Sequence, residues 1–233
     1  VVVDVAMTDV DLVANTSAGM RVRGKLDGLV MTNGHVDGNV YGLLSYTYPP
    51  PDVAAGNNFV NVAVTGTTFS NNSSKGIYLE KLSDAVFDGI TVANSGTAGA
   101  WAAGIDINLK YAAYQNIEIR NSSVTGCGTG DATNGVGVAV KARDDAPSYS
   151  TYPASLTNVD LTGNTITGCQ NGIRLGEPGK NNAGPTVVDV HQSWIAGSVA
   201  MGLANVSLSV PDATCNWWGD ALGPDVPPYN PTA

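Results

Sequence analysis

The chain reads as an all-β fold, a right-handed parallel β-helix with about seven or eight rungs in a single-stranded solenoid. Three observations point there. The first is Asn158 to Leu175, which holds three short alternating segments, Val-x-Leu, Thr-Ile-Thr and Ile-x-Leu. Alternation at period two marks strands with one buried face, and each segment is too short for a helix. The second is recurrence. Two apolar residues two apart, a third five residues later, then Gly followed by an apolar residue, describe seven successive stretches. The third is the Gly163-Asn164 pair between segments, where the backbone needs a positive φ.

In chain order the rungs are led by Val5/Met7, Leu29/Met31, Val62/Val64, Ala85/Phe87, Ile117/Ile119, Val159/Leu161 and Val188/Val190. Their third apolar positions are Leu12, Val36, Phe69, Val92, Val124, Ile166 and Ile195. Their Gly-led strands begin at Gly19, Gly42, Gly76, Gly104, Gly135, Gly172 and Gly202. An eighth unit starts at Val206 and Leu208. A unit of this length cannot bury its own apolar face, so neighbours must stack. Parallel crossovers favour the right hand. The helical domain is expected over 1–225, with a Pro-rich tail over 226–233. Trp217 and Trp218 are expected to cap the open end, since terminal units must cover their core.

Insertions fall only beside the Gly-led strands: 45–58, 95–103, 128–134, 142–155 and 176–185. None falls in the short turn between the first two segments. The Gly-led strands therefore form a face walled by loops, which is a groove, and long loops on a rigid scaffold are where function concentrates.

The net charge of −9 argues against a nucleic-acid partner. No apolar run reaches the roughly 18 residues of a membrane span. The chain starts at Val1 with no visible signal peptide, so a processed or excised piece is expected. Cys127 and Cys169 occupy equivalent places in adjacent rungs, expected as stacked buried thiols that a disulfide could join. No cysteine or histidine spacing indicates structural zinc.

The repeated Gly-Asn-Thr-Ile-Thr-Gly-Cys-Gln-Asn-Gly-Ile pattern, closed by Asn216-Trp217-Trp218-Gly219 and Gly223-Pro224, resembles the secreted right-handed parallel β-helix repeat proteins of the pectate-lyase-like superfamily. The resemblance spans nearly the whole chain and implies a secreted or cell-surface location and a polysaccharide partner. The chain lacks the Gly-His-Gly and Arg-x-Lys of polygalacturonases and the Asp-Pro-His of alginate epimerases. His35 and His191 lie on different strands, and no N-terminal plugging helix is visible.

Reading outward positions forward from each rung Gly gives a first column of Arg21, Leu44, Tyr78, Asp106, Gly137, Arg174 and Ala204. The second is Arg23, Tyr46, Glu80, Asn108, Ala139 and Gly176, followed by Lys110, Lys141 and Arg143. Seven of the 11 Lys and Arg residues, Lys180 included, then lie on or beside one face. In a lyase of acidic polysaccharides, Lys141 or Arg174 would be the base. Asp106 and Glu80 would then be Ca²⁺ ligands, since oxygen donors suit calcium. In an inverting glycoside hydrolase, Glu80 and Asp106 would be acid and base, roughly 8 Å apart. Tyr46, Tyr78, Trp101, Asn108 and Arg143 would contact the sugar. A non-catalytic binding or structural module is the competing reading. A Thr/Ser ladder on the middle strands raises ice binding as a further class, interrupted at both ends.

Overall fold

The computed structural model describes residues 1–47, 58–220 and 223. Among them there is no helix, and strands wind in rungs. The first rung holds β1 (Val2–Thr8) and β2 (Ala18–Val22). The second holds β3 (Leu26–Thr32), β4 (His35–Asp37) and β5 (Tyr41–Ser45). The third holds β6 (Phe59–Thr65), β7 (Thr68–Ser70) and β8 (Lys75–Leu79), and the fourth β9 (Ser83–Asp88), β10 (Thr91–Ala93) and β11 (Ala103–Lys110). β12 (Ala113–Arg120), β13 (Ser123–Thr125) and β14 (Val136–Arg143) form the fifth. β15 (Ser155–Thr162), β16 (Thr165–Thr167) and β17 (Ile173–Leu175) form the sixth, and β18 (Thr186–His191), β19 (Trp194–Ala196) and β20 (Leu203–Asn205) the seventh.

Equivalent strands pair in parallel into three sheets of seven, six and seven strands, the first, second and third in order along each rung. This is the parallel β-helix that the repeat requires. The first rung lacks a middle strand and makes only a bridge from Asp11 to His35.

Inward side chains stack from rung to rung. Leu29, Val62, Ala85, Ile117, Val159 and Val188 share one register, and Val36, Phe69, Val92, Val124, Ile166 and Ile195 another. All of these are buried in one continuous core. The corner between first and second sheets adopts a left-handed backbone in every rung: Asp9, Asn33, Gly66, Gly89, Asn121, Gly163 and Gln192. The positive φ expected at Gly163-Asn164 is thus a column of the whole solenoid. Asn and Gly tolerate that conformation best, which explains their abundance.

The rung glycines serve a different need. A Cβ on Gly42 would lie 2.3 Å from the Gly76 carbonyl oxygen, and one on Gly137 would lie 2.8 Å from that of Gly172. Backbones of successive rungs approach too closely there for any side chain. This identifies Gly137, not Gly135, as the fifth rung's glycine, because Val138 stacks between Ile105 and Ile173. Gly135-Val136-Gly137-Val138 repeats at period two, so either reading buries a valine. Only the strand pairing separates them.

The expected two-tryptophan cap divides. Trp218 packs against the core, whereas Trp217 is 39% exposed and lies against Trp194 on the outer surface of the second sheet, ring centroids 5.6 Å apart. Cys127 and Cys169 are buried free thiols, each donating to a backbone carbonyl two residues before it. Most of the 45–58 insertion and the boundary near residue 225 lie outside the described residues.

Candidate functional site

The outer face of the third sheet carries the site. Strand register places Arg21, Leu44, Tyr78, Asp106, Ala139, Arg174 and Ala204 in one column. Asn108 pairs with Lys141, and Lys110 with Arg143. Two positions of the sequence-derived columns are therefore corrected. Ala139 replaces Gly137 in the first, and Lys141 replaces Ala139 in the second. The slip is two residues, so it preserved which side chains face outward but displaced Lys141 from its true neighbours.

Lys141 lies at the centre of a buried charge network. Its Nζ is 3.5 Å from Asp106 Oδ1 and 3.2 Å from Glu177 Oε2. Lys75 Nζ pairs with Asp106 Oδ2. Arg143 Nη1 reaches Glu177 at 2.8 Å and makes a two-pronged pair with Asp145 at 2.7 and 3.0 Å. Lys75, Asp106, Lys141, Arg174 and Glu177 are all buried. A second network surrounds Glu80. It pairs with Lys110 at 2.5 Å, accepts from the Tyr78 hydroxyl at 2.8 Å and from the Thr47 N–H at 3.0 Å. The Asn108 amide donates to Tyr78 Oη at 3.0 Å, extending this second network.

Aromatic rings cover the cations. The Trp101 ring lies 5.1 Å from Lys141 Nζ and 5.4 Å from the Arg174 guanidinium, within cation–π range. Trp101 comes from the loop before β11. Its backbone is left-handed, φ 58°, and its N–H donates to Asp131 at 2.7 Å. A bulky residue held in that conformation marks a position that the surrounding structure enforces. Tyr78 lies under Lys75 Nζ at 4.3 Å, and Tyr149 under Arg143 at 4.3 Å. Tyr41 stacks on Tyr78 and Tyr46 meets it edge-on.

These groups enclose a cavity of about 290 Å³. Its walls include Tyr41, Tyr46, Lys75, Tyr78, Trp101, Asn108, Lys141, Arg143 and Glu177. Arg174, Asp106 and Glu80 belong to the networks beneath it. All the sequence-derived site residues thus fall in or under one groove. Lys75, Tyr41 and Glu177 are additions to that set. Lys75 directly precedes its rung Gly, so columns read forward from glycine pass over it. Glu177 follows Gly176 at the head of a loop, beyond the end of the outward columns.

The electrostatics separate the roles. Burial alone would raise the Asp106 carboxyl, but Lys141, Lys75 and Arg174 outweigh it and hold the group low, at about 2. Burial lowers the Lys141 amine below its ordinary range; Lys75 and Arg174 push the same way, while Asp106 and Glu177 oppose them. Burial likewise lowers Arg174, and raises the Tyr78 phenol with help from Glu80 and Asp106. Asp106 Oδ1, Asn108 Oδ1 and Arg174 Nε are buried without a hydrogen-bond partner in the chain.

A calcium ion does not fit this donor set. Asp106 already faces two lysines at ion-pair distance, and Glu80 is held by Lys110 and Tyr78. A divalent cation there would meet ammonium groups in its first neighbours, the reverse of the oxygen cage that calcium takes.

Comparison of the chain with protein families, curated proteins and solved structures finds no match.

Proposed function

We propose that the third-sheet groove binds an acidic polysaccharide outside the cytoplasm and cleaves it by β-elimination, with Lys141 as the base. The observation that carries this reading is Lys141 itself. It is a buried amine with a lowered pKa, set between two carboxylates and beneath a tryptophan ring, in a groove whose walls carry three cations and one carboxylate. Such an amine is neutral, and therefore basic, at a lower pH than a free lysine.

In the reaction so read, neutral Lys141 takes the C5 proton beside the uronate carboxylate. The electron pair of that C–H bond becomes a C4=C5 double bond. The C4–O bond breaks, its pair leaves with the departing sugar oxygen, and solvent supplies that oxygen's proton. Arg143 and Lys75 neutralise the uronate carboxylate. Trp101, Tyr46 and Tyr78 offer faces for the sugar rings.

The glycosidase reading is weaker. It needs one of the two carboxyls to stay protonated near neutral pH, yet Asp106 is held low by its cations and Glu80 is ion-paired with Lys110 at 2.5 Å. A binding module without chemistry remains the alternative, and the two share the same groove.

Binding is tested by electrophoresis of the chain through gels containing a polyuronate. The polyuronate should retard the wild type, and Trp101→Ala should migrate nearly unretarded while keeping its circular dichroism. Equal retardation of both proteins would place sugar recognition elsewhere, and retardation of neither would overturn polyuronate binding.

A further inference from the structure

A second cluster lies on the outer face of the first sheet at the C-terminal rung, whereas the groove lies on the third sheet. Asp189 and His191 are two apart on β18, so both side chains leave the same face. The chain then returns beside this strand. Asp212 bridges to Asp189, the Val190 N–H donates to the Asp212 carbonyl at 2.8 Å, and the Asp212 N–H donates to Val188 at 2.9 Å. One ligand atom from each of Asp189, His191 and Asp212 lies within 4.8 Å of the other two.

Hydrogen bonding assigns the imidazole. Nδ1 is 2.9 Å from the Thr214 carbonyl oxygen, which can only accept, so Nδ1 carries the hydrogen. In the neutral ring, Nε2 then presents a bare lone pair, 3.8 Å from Asp189 Oδ1 and 3.6 Å from Asp212 Oδ2. The other Asp212 oxygen accepts the Thr214 N–H at 3.1 Å. Three acceptors therefore converge, at separations too long for hydrogen bonds. Ligand atoms about 2.1 Å from a shared tetrahedral cation lie about 3.4 Å apart, near the 3.6 and 3.8 Å from Nε2 to the two carboxylates. A carbonyl holding the far nitrogen is also the usual support of a metal-binding histidine.

The surroundings are acidic as well. Glu118, Asp160, Asp189 and Asp212 follow one another in register on adjacent strands. Like charges side by side on a sheet destabilise it. Asp160, Asp189 and Glu118 also line a cavity of about 420 Å³ on this face. The ligand side chains are partly exposed, at 51% for Asp189, 26% for His191 and 53% for Asp212, so an ion can enter from solvent.

We propose that Asp189, His191 and Asp212 bind a first-row divalent cation of the zinc class, which fastens the C-terminal segment to the last full rung. An imidazole among the donors favours zinc over calcium or magnesium.

The test is calorimetric titration of the full chain with Zn²⁺ near neutral pH, followed by thermal unfolding with and without the ion. It is run in a Cys215→Ser background, because that exposed thiol is a competing zinc ligand. The expected result is one equivalent bound, a higher Tm with Zn²⁺, and binding weakened at least about tenfold in both His191→Gln and Asp212→Asn. Ca²⁺ should produce neither effect. Absence of Zn²⁺ binding, or binding that His191→Gln leaves unchanged, overturns the proposal. So does a cluster that responds only to acidification, since that is an imidazolium shared by two carboxylates. The proposed polysaccharide cleavage uses the third sheet and not the first, so its failure and the failure of this site are read separately.

Discussion

At the scale of single residues, the groove is governed by carboxylates paired with cations, Asp106 at their centre. Asp106 is held at about 2, below its ordinary 3.8. A lowered carboxyl contributes stability that is fully present above the unfolded value and is lost as pH falls through the folded value. The difference is worth on the order of 2 kcal/mol, lost between about pH 4 and pH 2. Carboxyl-carbon NMR should place the Asp106 midpoint below 3, and a midpoint near 4 or higher would contradict the ion-pair geometry. Lys141 behaves in the opposite way. Its lowered amine opposes folding while charged, so burying it costs stability. Much of this was legible in the sequence, because charged residues are scarce and their clustering on one face could be counted. Lys75 was not, because nothing local shows that the residue before a rung glycine shares the face of the residues after it.

At the scale of the element, rung glycines and left-handed corners set the register. Gly42→Ala would place a methyl 2.3 Å from the Gly76 carbonyl oxygen. That forces backbone movement in two rungs, and a loss of about 1–3 kcal/mol is expected from urea unfolding. A change below about 0.5 kcal/mol, the range of ordinary surface substitutions, would mean that the rungs are not packed so closely. Most strands could be read from period-two apolar spacing alone. The fifth Gly-led strand could not, because Gly-Val-Gly-Val satisfies two registers equally and only its neighbours choose between them. A two-residue slip is silent in burial and audible only in which side chains become lateral neighbours.

At the scale of the whole molecule, the solenoid has ends, and the ends are where sequence patterns fade. The aromatic C-terminal pair reads as a single cap, yet only Trp218 covers the core while Trp217 joins Trp194 outside. Trp218→Ala should lower the Tm measurably and Trp217→Ala should barely move it. Equal effects would refute that division of labour. The candidate site lies on a different axis of the molecule, along the stacked third-sheet strands, where rungs four to six contribute Asp106, Lys141 and Arg174 in turn.

The central claim is that Lys141 is a base acting on an acidic polysaccharide. The direct measurement is ultraviolet absorbance of the new C4=C5 double bond when wild type and Lys141→Met are incubated with a panel of polyuronates, with reducing ends followed in parallel. Methionine keeps the bulk and removes the amine, leaving Asp106 paired with Lys75 and Glu177 with Arg143. Unsaturated products from the wild type, rising with pH and absent from the folded variant, are the predicted result. Reducing ends without unsaturation, no product from either protein, or equal product from both would contradict it.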